Sequence, residues 1–397
     1  MKKWFKISLY TLVGVAAGGF VCAFAVPWNH STIISCVGSS GVKPFVEEYA
    51  KAYSKTNNVD INIDAGGSGF GISQVANNFT NIGCASKNPF EAVKETYRQN
   101  WISNKIKTVT IGWEGICILY IPPKGISDDV NLNQVLTLNQ DNITNLYRTF
   151  SGFKDGLPTG KPYLSLFLNP KYQIPETDKT KFEEQEVIPY ARSGGSLTSG
   201  TAASFFEGSH FNNYSKGLTE AQKTAFINGN YGKDFKLYDT DEANSRAWSV
   251  FNKNNIPGSM VYLSSSFVQK NYDLINLNNY GILSYNSHEY NVEDINVRYN
   301  FFRSLNLMLS INSNDQTTKF ILDIINYSMD VGFTNLGAKG IDHDQYNSMF
   351  IDSNFWVDDV ALMEQRSSSW DQNDTIFGAI ESYDDKIKEK FYWFKKN

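Results

Sequence analysis

Three times along the chain, a short run of apolar or alternating residues gives way to a Gly- and Ser-rich turn and then to a segment of helical periodicity. The first run, "TIISCV", is followed by "GSSG" (Gly38, Ser39, Ser40, Gly41), and then Val42, Phe45, Val46, Tyr49, Ala50 and Tyr53 recur at the spacing of one helix face. Pro44 falls in the first turn, where its missing N–H leaves no hydrogen bond unmade. The second run, "VDINIDA", alternates as a half-buried strand does; "GGSGFG" (Gly66 to Gly71) and "ISQVANNF" follow it. The third, "EVIPYAR", is followed by "SGGSLTSG" (Ser193 to Gly200) and "TAASFFEGSHF". Each predicts a strand, a tight turn and a helix.

A helix leaves its first backbone N–H groups without intrahelical partners and carries partial positive charge at that end. Glycine there lets the backbone come close to an anion, and serine adds a hydroxyl donor. Any one such junction on its own reads as ordinary N-capping. Three in one chain, the last preceded by Arg192, shift the balance toward an oxyanion site, because the planar fork of arginine matches a tetrahedral anion.

Composition sets the scale. The chain has 397 residues, 41% hydrophobic and 14% aromatic, enough to bury one large core or two medium ones, and two lobes are expected. The net charge of -5, without clustered Lys and Arg, gives no footprint for nucleic acid. Lys2, Lys3 and Lys6 precede "ISLYTLVGVAAGGFVCAFAV", an uncharged run long enough to span a bilayer, so residues 1–26 read as a signal peptide or membrane anchor with everything after Pro27 outside. Ala23-Phe24-Ala25 resembles a cleavage site, Cys22 is a candidate for lipidation, and a retained anchor is the third outcome. Cys36, Cys84 and Cys117 lie in apolar, strand-like segments and read as buried free thiols; neither they nor the scattered His30, His210, His288 and His343 have metal-site spacing.

Enzyme motifs fail at specific positions. Phe70 occupies the last Gly of a G-x-S-x-G elbow in "GGSGFG", and Ala338 stands where "GFTNLGAKG" would need the lysine of a P-loop. The adjacent carboxylates Asp128-Asp129, Asp358-Asp359 and Asp384-Asp385 read as solvated faces or turn caps.

The three junctions, in this order and together with "NIGCASKNPF", "GWEGICILYIP" and "IPGSMVYLSSSFV", resemble the phosphate-binding protein of the bacterial phosphate-specific ABC importer, in its low-GC, wall-less or Gram-positive branch. The likeness runs from about residue 32 to about residue 340. It implies an α/β, two-lobed periplasmic-binding-protein (type II) fold with a hinge and an anion in the cleft between the lobes. Lobe one is expected over 32–117 and 262–340 and lobe two over 118–261, with 341–397 an extension of unassigned role. Carried over by position, the resemblance makes Ser40 with the N–H of Gly41 the first-loop ligands and Ser68 the second-loop ligand. Arg192, Ser199, Gly200 and Thr201 form the third group; an ungapped match would use Ser196 and Thr198 instead, with Leu197 where the family has Gly. Ser86 stands where some members have an aspartate that accepts the proton of phosphate, so its hydroxyl bears on discrimination against sulfate, and Lys87 lies beside it. Glu114 matches an acidic position of the family and is expected to support the site or cap backbone.

The implied function is non-enzymatic: a monomer, tethered outside the membrane, that binds inorganic phosphate and passes it to ABC permease subunits, with no cofactor or metal. The alternatives are a binding protein for sulfate or molybdate, and a phosphoryl-transfer enzyme such as a phosphatase with Ser68 as nucleophile. Two regions lie outside the resemblance, a polar insertion around "TGKPYLSLFLNPKYQIPETDKTKFEEQ" within 123–188 and the aromatic-rich tail after about residue 340.

Overall fold

The computed structural model describes residues 32–341 except 87–88, 90–95, 105, 193–217, 241–243, 296–297, 300, 311–312 and 330. The apolar segment 1–26, Cys22, and the tail after residue 341 therefore lie outside the described residues. Among the described residues, no helix is long and apolar enough to cross a membrane.

The first two junctions fold as their patterns predict. Strand β1 (Thr32–Gly38) buries Ile34 and Cys36 on one face and leads through the turn into helix α1 (Lys43–Asn57). That helix buries Phe45, Val46, Ala50 and Tyr53, the face read from its periodicity, and ends on Asn58 in the left-handed conformation. Strand β2 (Val59–Ala65) leads into helix α2 (Ser68–Ala76), whose buried side holds Ile72, Val75 and Ala76. The third strand, β6 (Ile188–Arg192), is present, while the turn and helix expected after it fall outside the described residues.

Twelve strands complete the count among the described residues: β3 (Ile82–Ala85), β4 (Ile106–Tyr120), β5 (Thr137–Leu138), β7 (Tyr238–Thr240), β8 (Ser259–Ser264), β9 (Gly281–Ile282), β10 (Ser284–Tyr285), β11 (Phe302–Ser310) and β12 (Ala338–Gly340) join those above. Ten form one mixed sheet in the order β2-β1-β3-β11-β4-β8-β6-β7, with β9 and β12 also on β4; β5 and β10 pair separately. The parallel pairs sit at the two ends, β1 with β2 and β3, and β6 with β7 and β8, whereas β4 and β11 run antiparallel through the middle.

Strand β4 links the two halves. Up to Gly115 it pairs with β11, and from Ile116 it pairs with β8. The cores divide at the same place. Ile34, Phe45, Trp113, Leu305, Phe320 and Phe333 belong to one cluster; Ile118, Tyr147, Phe150, Phe167, Phe182 and Tyr262 belong to another. In the first, α1 packs on helix Asp315–Met329 and the segment after it, with ring centroids 5.7 Å apart for Tyr49–Phe320 and 4.9 Å for Phe45–Phe333. Full burial of a large apolar side chain stabilises by about 1.5–3 kcal/mol, so each half carries a core of its own and the carboxyl ends of β1, β2 and β6 are left to build a site.

Candidate functional site

The turn after β1 packs tightly against its neighbours. A Cβ at Gly38, where φ is +147°, would lie 2.1 Å from the carbonyl oxygen of Cys84, so only glycine lets β1 end this close to β3. The Gly38 carbonyl then accepts the N–H groups of Gly66 (3.0 Å) and Gly67 (2.9 Å), and the Ser39 N–H donates to the Cys84 carbonyl (2.9 Å). These bonds tie the first turn to the second turn and to the end of β3. At the start of α2 the Gly71 N–H returns to the Gly67 carbonyl (3.1 Å), and the amides of Ser68, Gly69 and Phe70 make no hydrogen bond to a described residue.

Three buried serines meet where these segments converge. The Ser39 hydroxyl donates to Ser86 Oγ (2.8 Å) and accepts the Gly41 N–H (3.1 Å). The Ser86 N–H donates to Ser68 Oγ (3.1 Å), and the Ser68 and Ser86 hydroxyls lie 3.5 Å apart. Ser68 Oγ accepts the Ser86 N–H, and with the Ser86 hydroxyl as donor in the longer contact its own O–H is left to turn toward a ligand. Each neutral bond of this kind contributes about 1 kcal/mol net, and together they fix three hydroxyls without bringing in charge.

At the end of β6, Arg192 is buried and braced on several sides. Its N–H donates to Tyr262 Oη (3.0 Å); its Nη1 donates to Asn244 Oδ1 (2.9 Å) and to the Tyr262 carbonyl (3.1 Å). Its guanidinium carbon stands 5.5 Å from the Tyr262 ring centroid, a cation–π contact.

From Asn244, at the start of helix Asn244–Asn254, a relay of polar side chains runs back to the first turn. Asn244 Nδ2 donates to Ser264 Oγ (2.8 Å), Ser264 Oγ is 3.0 Å from Ser266 Oγ, and Ser266 Oγ donates to Glu114 Oε1 (2.5 Å). The other carboxylate oxygen, Oε2, accepts from Arg303 Nε (2.9 Å) and Nη2 (2.7 Å). Arg303 lies directly against Gly41: a Cβ there would be 2.6 Å from Nη2. Glu114 is fully buried on β4 at the point where that strand changes partners, so a continuous chain of hydrogen bonds runs from Arg192 to Arg303, which packs against the turn after β1 at Gly41.

Comparison with known proteins agrees with this architecture. A model described as a PBP superfamily domain matches residues 27–300. The chain belongs to the PBP superfamily. It is 30% identical over 414 residues to an uncharacterized lipoprotein of Mycoplasma genitalium, covering 96% of this chain and 99% of that one. Among solved structures it is similar to the ancestral soluble variant of the human phosphate binding protein, at 12% identity and TM-score 0.53, over 81% of this chain and 95% of that one. It also matches PstS from Borrelia burgdorferi, at 19% identity and TM-score 0.47, over 79% of this chain and 100% of that one. The α/β, two-lobed binding-protein fold expected from the sequence is the fold of this superfamily member.

Within the PBP fold, the residues singled out in the sequence fall in three groups. Ser68, Ser86 and Arg192 are buried in the connected arrangement just described. Ser40 is exposed on the turn, whereas its neighbour Ser39 is the buried hydroxyl of the serine cluster; the Gly41 N–H, expected to face a ligand, donates to Ser39 Oγ. Ser199, Gly200 and Thr201, with the alternatives Ser196 and Thr198, and Lys87, lie outside the described residues.

Sequence reasoning missed Arg303, Asn244 and the Ser264–Ser266 pair. A signal for Arg303 was available: a single cation in the mostly apolar strand "FFRSLNLML" requires a buried partner. The relay serines sit in the "LSSSF" part of a quoted motif, but nothing in their spacing reveals that Glu114 lies opposite.

Cys36, Cys84 and Cys117 are free and buried, as read from the sequence. Burial pushes the Cys84 thiol up to about 12, and burial with Cys84 beside it raises Cys36 further from its ordinary range. The thiols beneath the serine turn therefore stay protonated and act as small apolar groups. Among the described residues, no group of three or more His, Cys, Asp and Glu side chains is placed to hold a metal ion.

Proposed function

We propose that this protein captures inorganic phosphate in the cleft between its two lobes, lobe one built from about 32–117 and 262–340 and lobe two from 118–261, and delivers it to the permease of an ABC importer. The observation that carries this reading is the convergence of two hydrogen-bonded groups on the turn after β1: buried hydroxyls at the ends of β1 and β3 and the start of α2 hold one another, and Arg303, packed against Gly41 of that turn, is linked through Glu114, Ser266, Ser264 and Asn244 to the braced guanidinium at the end of β6. Hydroxyls, open amides at the start of α2 and arginine forks are the donors that replace the hydration shell of a tetrahedral oxyanion. No group in this set needs to do chemistry, and the protein is a binder rather than an enzyme. Ser199, Gly200 and Thr201, in the segment after Arg192 and outside the described residues, are taken as further ligands from the family resemblance. The solved structures that the chain resembles include proteins named for phosphate binding and phosphate transport.

Tethering follows from the N-terminal segment. The Mycoplasma genitalium relative is named a lipoprotein, and Cys22 lies in the apolar run of residues 7–26. The binding lobes then sit on the outer face of the membrane, where a permease receives the ligand.

Calorimetric titration with phosphate and sulfate at two pH values tests the reading. Phosphate is expected to bind with 1:1 stoichiometry and to outcompete sulfate, and Ser86→Asp is expected to widen that margin by repelling the unprotonated anion. Absence of phosphate binding, or sulfate binding the more tightly, contradicts it.

A further inference from the structure

Arg303 is a buried cation and the one charged residue of strand β11, whose other buried side chains are apolar except for Ser304 and Asn306. Glu114 engages its Nε and Nη2. Its Nη1, with two N–H donors, makes no hydrogen bond to a described residue and is not sealed from solvent. The guanidinium occupies the space over Gly41 that any side chain would fill, with Nη2 2.6 Å and Cζ 3.2 Å from where a Cβ would stand. The backbone of the first turn is thus cut back at the residue where an arginine comes up against it. The other oxygen of Glu114 continues through Ser266, Ser264 and Asn244 to Arg192.

We propose that Arg303 is a second anion-contacting guanidinium of the site, offering Nη1 to the ligand, and that Glu114 is the positioning residue that holds it. The inference rests on the reading of the cleft as a phosphate site and adds a contact which that reading does not contain. A tetrahedral oxyanion has enough lone pairs to accept from a fork on either side as well as from the serine hydroxyls. Glu114 compensates and orients Arg303, one of the two cations drawn together, and the relay through Ser266, Ser264 and Asn244 ties its position to that of Arg192.

The test compares the full chain with its Arg303→Lys and Glu114→Gln variants, measuring phosphate affinity by calorimetry and the melting temperature without phosphate. Arg303→Lys keeps the charge but loses the fork, so phosphate affinity is expected to fall at least tenfold while the ligand-free melting temperature moves little. Glu114→Gln is expected to weaken phosphate binding in the same direction, because Arg303 is no longer held. A lower melting temperature with wild-type affinity in Arg303→Lys would make the pair purely structural and overturn the inference alone. A wild-type protein silent to phosphate would overturn the underlying reading, and this inference with it. Should the variants not fold, a phosphate-bound structure of the wild-type protein decides: an anion oxygen within hydrogen-bond distance of Arg303 Nη1 supports the inference, and Nη1 facing only water removes it.

Discussion

The turn after β1 and the end of β6, the two sides of the proposed site, hold their polar groups by opposite means. At the turn, Ser39, Ser68 and Ser86 hold one another, each neutral hydroxyl oriented by a neighbour. At β6, a full charge is buried, and Arg192 is braced by the amide oxygen of Asn244, the carbonyl of Tyr262 and the face of the Tyr262 ring. Neutral donors can be set in place by short-range bonds worth about 1 kcal/mol each, whereas a buried cation demands several fixed acceptors and, further along the relay, a carboxylate. The first arrangement comes from glycine-led close packing of β1, β3 and α2; the second needs a helix and a strand that supply fixed acceptors around the charge.

The largest effect should come from cutting the link between the two. Glu114→Ala leaves Arg303 buried without its counter-charge and is expected to cost about 3–5 kcal/mol in unfolding free energy, read by chemical denaturation. A change below about 1 kcal/mol would show that Arg303 reaches water easily and that the relay does not constrain it. Next is Arg192→Ala. Removing one partner of a buried, hydrogen-bonded charged contact costs about 2–5 kcal/mol, so phosphate affinity should drop by roughly 30-fold or more in titration. An unchanged isotherm would take the β6 side out of the site.

On the neutral side the effects are smaller. Ser68→Ala deprives the Ser86 N–H of its acceptor, and a buried donor left unpaired costs about 1–3 kcal/mol, divided between stability and affinity. Equal losses in Ser68→Ala and Arg192→Ala would erase the contrast between the two regions. The smallest effect per group is alkaline. The Cys84 thiol is raised from 9.0 to about 12 in the folded protein, so its protonated form contributes stability fully below the unfolded value and loses it as pH rises toward 12. Denaturation midpoints should therefore fall above pH 9, by at most about 1.4 kcal/mol per pH unit for that thiol, and Cys84→Ala should flatten part of the slope.

How much of this was legible in the sequence differs between the same two regions. The β1 and β2 junctions could be read because strand, turn and helix are contiguous and their periodicities change within a few residues; the buried face of α1 followed from spacing alone. Within the first turn, the resemblance named Ser40 while the buried hydroxyl is that of Ser39, and which hydroxyl is buried depends on how Gly38 packs against Cys84, a contact across 46 residues of chain. Arg192 was marked by its place before a Gly- and Ser-rich run. Its bracing by Asn244 and Tyr262 was not, because those residues come from a helix and a strand more than 50 residues away. Arg303 and Glu114 are 189 residues apart and meet only because β4 and β11 pair antiparallel in one particular register.

The most direct measurement is the structure of the protein crystallised with phosphate. The account predicts one anion held at once by the Ser68 hydroxyl, from the turn before α2, and by the guanidinium of Arg192, from the end of β6. Phosphate bound elsewhere, or touching one of these residues while the other faces away from it, would contradict the claim that the two regions build a single site.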